Sequence, residues 1–309
     1  IDKALEVYQL KEKIKTIVIS EDEHFRQIIE IFDWKKELQK KQYESLASKI
    51  IRQINIGLFH GGGFGGLLSV LSIIFSKLKM NSESKKYELS ENQYNLLKEN
   101  YDSAKNLVNG FNKAQTILMD NAIFSETIRL NELFKILEKI RERLKPMLKI
   151  KNQKLSVSSI PNSASQYEII FQKERMEMAI TELLLNAMKY SGENDQIYII
   201  LFIKEKHFEI KFLNPAYKNQ DDSFGISGAN EQMIFEPFYR LSPVSYEGYY
   251  LEEFGAGIGL SVVKKIIEDH GAEINIFTIK NFLTQGDEKD VSVSIRFPLQ
   301  SVSNKLEGL

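Results

Sequence analysis

The sequence predicts an N-terminal all-α helical hairpin, which forms a four-helix bundle on dimerisation, followed by an α+β two-layer sandwich. Two long amphipathic helical periodicities occupy residues 31–125, with a polar break at residues 81–90 between them. Residues 126–300 combine helical periodicities with short alternating strand patterns. Helices segregated against a mixed, mostly antiparallel sheet form an α+β sandwich. Residues 1–30 are then an upstream connector or the end of a preceding domain, and residues 301–309 a tail.

Composition limits the classes of function. The chain has 309 residues, with 41 Lys plus Arg against 42 Asp plus Glu, and no cysteine. This charge balance offers no basic field for nucleic acid, so we expect no nucleic-acid partner. The absence of cysteine excludes a disulfide framework and thiolate metal sites, which is compatible with a cytoplasmic protein.

The hairpin is predicted from two apolar stripes. In the first helix, from about residue 31 to 80, the stripe consists of Ile31, Trp34, Leu38, Leu46, Ile50 and Ile54. In the second, from about residue 91 to 120, a near-heptad spacing joins Tyr94, Leu97, Tyr101, Ala104, Val108, Phe111 and Leu118. One hairpin cannot bury these stripes alone. Two copies can bury them in a four-helix bundle, so the sequence predicts a homodimer.

One stretch of the first helix also satisfies a membrane criterion. No charged residue occurs from Gln53 to Ser76, which is long enough to span a bilayer. Six glycines fall between Gly57 and Gly66, and amphipathic periodicity continues on both sides. We therefore expect a buried dimer helix, with a membrane span as the alternative. Any other membrane attachment would lie in segments absent from this chain.

The second part has a helix from Leu130, a short strand at residues 154–158 and a helix containing Glu182. Further strand patterns follow at residues 196–203, 207–212, 274–279 and 291–297. Residues 300–309 are expected to be a frayed tail.

Three blocks in this part carry the functional signal. TELLLNAMKYS, from Thr181 to Ser191, predicts a helix with Glu182, Asn186 and Lys189 on one face, because they are four and three residues apart. IFEPFYR follows at residues 234–240, and GAGIGLSVVKKIIEDHG at 255–271. Alone, each block is a weak signal. On its own the helix pattern fits ordinary solvated charges better than a site.

In order and spacing, the three blocks together resemble the ATP-binding domain of sensor histidine kinases, within the ATPase superfamily that includes gyrase and MutL. The resemblance covers roughly residues 127–300 and implies ATP and Mg²⁺ as cofactors. It implies that Asn186 is a Mg²⁺ ligand through its amide oxygen. Glu182 would position or polarise the attacking group or a metal-bound water. Lys189 would reach the phosphates, and Tyr190 would pack near the ribose or base.

The second glycine box of the family corresponds to Gly255, Gly257 and Gly259, before a helix that begins near Leu260. Glycine lets backbone approach phosphates closely, and a helix N-terminus offers N–H groups to an anion. The family's aromatic box corresponds to Phe235, Pro237, Phe238 and Tyr239, whose rings are expected to pack the hinge of a lid.

Two alternatives remain for Arg240, which follows this aromatic box. It would contact a phosphate or lie on the surface. The fourteen residues between Arg240 and Gly255 are expected to form the lid itself.

The first glycine box departs from the family pattern. Where the family has an aspartate that accepts from the adenine amino group, this chain has Asn214, and Ala216 stands at the first glycine. Asn214 keeps an acceptor oxygen without the charge, so adenine recognition should be weaker. Asp221 and Asp222 are nearby substitutes if the register differs.

The phosphoacceptor also departs from the pattern. The family places a histidine midway along the first hairpin helix, followed by an acidic residue, and this chain offers His60 followed by Gly61. A neutral imidazole is nucleophilic near pH 7 without that carboxylate, so His60 is the expected acceptor. The alternative is that His60 is only a residue of the bundle.

The resemblance implies a transferase: a sensor histidine kinase of a two-component system. It would autophosphorylate on histidine, becoming a phosphoprotein, and pass the phosphoryl group to an aspartate of a response-regulator receiver domain. Its location would be cytoplasmic, including the cytoplasmic part of a membrane-anchored sensor. The alternative function is a non-catalytic dimeric module that binds nucleotide and signals through partner binding.

Overall fold

A computed structural model of the chain describes residues 64–78, 80, 82, 85–120, 122–160, 162–204, 206–216, 224–241, 249, 251–254, 257–281 and 288–301. All of them fall within one compact unit. Over these residues, no helix has the length and apolar character needed to cross a bilayer. His60 and Gly61, Gly255, the two candidate aspartates at 221 and 222, and most of the expected lid lie outside the described residues.

Among the described residues before 121, two helices occur, α1 (Phe64–Lys77) and α2 (Glu91–Met119). The second begins with a capping box, in which the Ser90 hydroxyl accepts from the Gln93 N–H and the Gln93 side chain accepts from the Ser90 N–H. The two helices are in contact near Gly66, where a Cβ would lie 2.6 Å from Asn100 Oδ1 of α2. The predicted second helix is therefore confirmed to within one residue.

The second part follows in the order β1 (Thr127–Arg129), α3 (Leu130–Leu148), β2 (Lys154–Val157), β3 (Tyr167–Ile170), α4 (Lys173–Lys189), β4 (Gln196–Lys204), β5 (His207–Pro215), α5 (Gly259–Asp269), β6 (Glu273–Lys280), β7 (Lys289–Pro298) and β8 (Gln300–Ser301). Short 3-10 helices lie at Lys149–Lys151, Asn162–Gln166, Gly228–Asn230 and Met233–Phe235. The predicted order, a helical region followed by a helix-and-sheet domain, is confirmed.

The main sheet has the strand order β2-β4-β5-β7-β6. Strands β2 and β4 pair in parallel, and the other neighbours pair antiparallel. A parallel pair needs a crossover connection, and here the crossover contains α4. Alternate residues of β4 are buried, namely Ile197, Ile199 and Leu201, because strand side chains point to opposite faces. Helices α3, α4 and α5 contact this sheet and complete one core with it.

A second sheet, of three short antiparallel strands in the order β1-β3-β8, was not predicted. Gln300 pairs with Glu168 and Ser301 with Tyr167. The expectation of a frayed tail from residue 300 is therefore wrong for these two residues, because backbone pairing with β3 orders them. The four-helix bundle requires a second copy and stays a prediction.

Candidate ATP-binding site

A pocket of roughly 1080 Å³, counted to its open mouth, lies among α4, α5 and strands β5, β6 and β7. Its lining includes eight of the ten residues that sequence analysis assigned to the site: Glu182, Asn186, Lys189, Tyr190, Asn214, Arg240, Gly257 and Gly259. The other two, His60 and Gly255, lie outside the described residues. Residues from the three blocks, together with Asn214, thus meet around one cavity.

Glu182 is buried on α4, with 5% of its surface exposed. Its carboxyl group lies against Gly259, the first residue of α5, so closely that a Cβ at Gly259 would overlap Oε1. Burial raises the pKa of Glu182 to about 8; Glu252 and Glu253 act in the same direction, while Lys189 and Arg240 oppose them. A carboxyl with this pKa can hold or release a proton near neutral pH.

Lys189 lies two turns after Glu182 and is equally buried. Its Nζ forms an ion pair with Glu252 Oε1, on the segment 251–254 at the C-terminal end of the expected lid. The lysine predicted to reach phosphates therefore already faces an anionic oxygen inside the pocket.

Asn186 and Tyr190 occupy the same side of α4. Asn186 is half-buried on the pocket wall, one turn after Glu182. An amide oxygen is a ligand that Mg²⁺ accepts, and Mg²⁺ usually keeps several waters beside one or two protein ligands. Tyr190 caps the C-terminus of α4, where its N–H donates to the Asn186 carbonyl oxygen at 3.0 Å. Both positions fit a nucleotide with its metal.

Asn214 lies near the end of β5 with 5% of its surface exposed. Its Nδ2 donates to the carbonyl oxygen of Pro215 at 2.9 Å, so Oδ1 is the side-chain atom able to accept from a ligand. This geometry matches the acceptor role that the resemblance implies.

Gly225 is a pocket residue that sequence analysis missed. It has a φ of +71°, and a Cβ there would lie 2.5 Å from Thr278 Oγ1 on β6. The Thr278 hydroxyl accepts from the Ile226 N–H at 2.7 Å and donates to the Ile226 carbonyl at 2.9 Å. The first glycine was sought at Ala216, but Gly225 comes after the further segment YKNQDDS. The glycine in FGI, residues 224–226, could have been considered for this position, because it comes shortly before the aromatic block IFEPFYR.

In the aromatic block, residues 234–240, two rings pack against other side chains and one lines the pocket. Phe235 is buried, and Phe238 packs against Phe111 of α2 with ring centroids 5.9 Å apart. Tyr239, in contrast, lines the pocket, and its hydroxyl donates to Asn230 Oδ1 at 2.8 Å. Tyr239 therefore lies on the pocket wall, and the expectation that these rings pack the hinge of a lid stays a prediction.

Arg240 lies on the pocket rather than away from it. Its side chain crosses Gly257, which has a φ of +81°, and a Cβ at Gly257 would lie 2.9 Å from Arg240 Cγ. Glycine at this position therefore satisfies both the backbone conformation and the close approach of the arginine.

The rest of the lining is largely apolar: Leu183, Ala187, Phe212, Ile226, Ile234, Leu241, Phe254, Leu260, Ile276, Val291 and Val293. Apolar walls with a few placed polar groups are typical of sites for planar ligands. The wall suits a purine, while Lys189, Arg240 and Asn186 suit phosphates and a metal ion. The residues present fit ATP with Mg²⁺.

Comparison with known proteins finds a family that matches this part of the chain. The family described as Histidine kinase-, DNA gyrase B-, and HSP90-like ATPase matches residues 172–301. Sensor protein SrrB of Staphylococcus aureus is 29% identical over 106 residues, which are 34% of this chain and 16% of SrrB. The chain therefore spans only a small part of the length of the curated relatives that it matches.

Among solved structures, the Acinetobacter baumannii histidine kinase AdeS has a TM-score of 0.46 at 15% identity, over 75% of this chain and 92% of AdeS. Histidine kinase ThkA, solved in complex with the response regulator protein TrrA, has a TM-score of 0.49 at 15% identity, over 86% of this chain and 66% of ThkA.

Residues 172–301 form an ATPase domain of the class shared by histidine kinases, DNA gyrase B and HSP90. Within that class, the curated relative that the chain resembles is a sensor protein.

Proposed function

We propose that this chain is the catalytic core of a two-component sensor histidine kinase, which phosphorylates itself on histidine with ATP. The observation that carries the proposal is the convergence of Glu182, Asn186 and Lys189 on one pocket beside Gly259, at the N-terminus of α5. A buried carboxyl, an amide and an ammonium at a glycine-rich helix start suit a polyphosphate and its metal ion.

In this proposal Asn186 holds Mg²⁺, and Lys189 and Arg240 contact the phosphates. The metal ion, when bound, neutralises charge on the phosphate oxygens. Asn214 accepts from the adenine amino group through Oδ1, and Tyr190 packs near the ribose or base. Catalysis then depends on positioning and charge neutralisation, as phosphoryl transfer generally does.

The imidazole nitrogen of the acceptor histidine would form a bond to the γ-phosphorus while the bond from that phosphorus to the β–γ bridging oxygen breaks, releasing ADP. In its ionised form, Glu182 would accept a proton from the attacking group. In its protonated form, which its raised pKa favours near neutral pH, it would orient that group. We assign His60 as the acceptor. The phosphoryl group would then pass to an aspartate of a response-regulator receiver domain, in the cytoplasm.

A homodimer is supported by apolar surface that the hairpin leaves exposed in a single chain. On α1, Leu68 is 56% and Phe75 72% exposed, and on α2 Tyr94, Tyr101 and Val108 are also exposed. Burying these side chains between two copies would form the proposed four-helix bundle.

A second candidate function is a non-catalytic nucleotide-binding module that acts through a partner. The observations that favour it are the uncharged Asn214 at the adenine-binding position and Gly61 after His60. Such a module would bind nucleotide without transferring phosphate.

The test uses the purified chain with γ-labelled ATP and Mg²⁺, beside a His60→Ala variant. We expect label on the wild-type chain that is labile in acid and stable in alkali, as phosphohistidine is, and none on the variant. An unlabelled wild-type chain that still binds ATP and dimerises would favour the second candidate. Label that persists on His60→Ala would contradict the assignment of the acceptor.

A further inference from the structure

The C-terminus of α4 is closed by a buried lysine. Lys151 Nζ donates to three backbone carbonyl oxygens, those of Met188 at 3.0 Å, Lys189 at 2.9 Å and Ser191 at 2.7 Å. Only 7% of the Lys151 surface is exposed. Lysine is seldom buried without partners, and here its ammonium group is matched to three acceptors in one turn of backbone.

Gln153, two residues after Lys151, also donates hydrogen bonds to this turn. Its Nε2 donates to the carbonyl oxygens of Met188 at 3.0 Å and Gly192 at 2.9 Å. The last carbonyls of a helix lack partners within the helix and carry partial negative charge. A cation and an amide are therefore the groups that this helix end requires.

The turn held by Lys151 also carries pocket residues. Lys189 and Tyr190 both line the pocket, and the Lys189 carbonyl is itself an acceptor of the Lys151 ammonium group. Fixing that peptide fixes the Cα from which the Lys189 side chain extends into the site.

We propose that Lys151 is a positioning residue for the phosphate-binding end of the site, acting through Lys189. This inference rests on the proposed function, in which Lys189 contacts phosphate. A purely structural role for Lys151 would weaken the binding of adenosine, which Tyr190 on the same turn contacts in the proposed function, as much as the binding of ATP. Positioning of Lys189 would instead weaken the binding of ATP more than that of adenosine.

The experiment compares ATP with adenosine, which has no phosphate, by calorimetric titration of the full chain in Mg²⁺. For Lys151→Met we expect ATP affinity to fall by about tenfold, which corresponds to one lost charged contact, and adenosine affinity to stay within about twofold. Lys149→Met is the matched control, because Lys149 is an exposed lysine in the same 3-10 helix. It should leave both affinities unchanged.

A double-mutant cycle tests whether Lys151 acts through Lys189. In a Lys189→Met chain, adding Lys151→Met should cause no further loss of ATP affinity. If circular dichroism shows Lys151→Met to be unfolded, Lys151→Gln replaces it throughout, since its amide keeps two N–H donors for the carbonyls.

Equal losses for ATP and adenosine, additive losses in the cycle, or unchanged ATP affinity would each overturn the inference. If the wild-type chain binds adenosine and ATP with equal affinity, the phosphates contribute nothing to binding. That result would overturn the proposed role of Lys189, and this inference with it.

Discussion

Lys189 and Glu252 form an ion pair inside the candidate site, with their side chains 6% and 20% exposed. The next residue, Glu253, pairs with Lys113 on α2, and Gly110 of α2 lies so close to the Glu253 carbonyl that a Cβ there would overlap it. The segment 251–254 thus contacts both the pocket and the hairpin helix.

Removing the charge of Glu252 should strengthen ATP binding. Phosphates must displace this carboxylate from Lys189, so Glu252→Gln should raise ATP affinity by about threefold to tenfold and leave adenosine affinity unchanged. Calorimetric titration measures both. Glu253→Gln is the control, because its exposed pair with Lys113 contributes little. Weaker ATP binding by Glu252→Gln would show that Glu252 helps to hold the nucleotide or its metal.

The buried carboxyl of Glu182 should make folding stability depend on pH. Its pKa is about 8 in the folded chain, against an ordinary value of 4.5. Between these values the folded chain keeps a proton that the unfolded chain releases, so the contribution of Glu182 to stability falls as pH rises. The unfolding free energy of Glu182→Gln, relative to that of the wild type, should therefore increase as pH rises from 5 to 8.

Urea unfolding of both chains at several pH values measures this difference. A difference in unfolding free energy that is constant between pH 5 and pH 8 would contradict the raised pKa of Glu182.

Gly259 should tolerate a side chain poorly, because the buried Glu182 carboxyl group occupies the place of its Cβ and would have to move. Gly259→Ala should destabilise the fold by about 1–3 kcal/mol, as overpacking does, and abolish ATP binding. Gly228→Ala is the control, because a Cβ there would meet nothing within 4 Å, and we expect a change within about 0.5 kcal/mol. Thermal and urea unfolding test both, and equal effects of the two changes would contradict the contact.

His270 should make the start of α4 sensitive to acid. Its Nδ1 donates to the Ile266 carbonyl at 2.6 Å, its Nε2 accepts from the Gln172 N–H at 2.9 Å, and its ring stacks on Phe124. Burial lowers the pKa of His270 below its ordinary 6.5. As pH falls below 6.5, His270 takes up a proton in the unfolded chain but stays neutral in the folded chain. The stability contributed by His270 is therefore lost on acidification.

The measurement is the unfolding free energy of wild type and His270→Gln at pH 7.5 and pH 5.5. We expect the advantage of the wild type to shrink at the lower pH. An advantage that grows on acidification would mean that His270 is charged in the folded chain.

The wall formed by α4 could be predicted from sequence because helical spacing alone places Glu182, Asn186 and Lys189 on one face. The long strands were predictable because alternating apolar residues extend over many positions. The short strands β1 and β8 were not, since two or three residues carry no usable period, and the four residues of β3, YEII, do not alternate between apolar and polar as those of β2 do. Their order comes from pairing between distant parts of the chain.

The sequence was least informative where function depends on contacts between distant residues. Lys151 stands in the lysine-rich run LKIKNQK, where a buried lysine looks like its exposed neighbours. Glu252 similarly resembles an ordinary loop acid until its pairing with Lys189 is known. Only the folded arrangement distinguishes these residues from the rest of the charged surface.

The most direct test of the account is calorimetric titration of the full chain with ATP in the presence and absence of Mg²⁺, beside Asn186→Ala. We predict that the wild-type chain binds ATP more tightly with Mg²⁺, and that Asn186→Ala removes this gain while still binding adenosine. If Asn186→Ala binds Mg²⁺ and ATP as wild type does, or if the wild-type chain binds no ATP, the assignment of this pocket as the ATP site is contradicted.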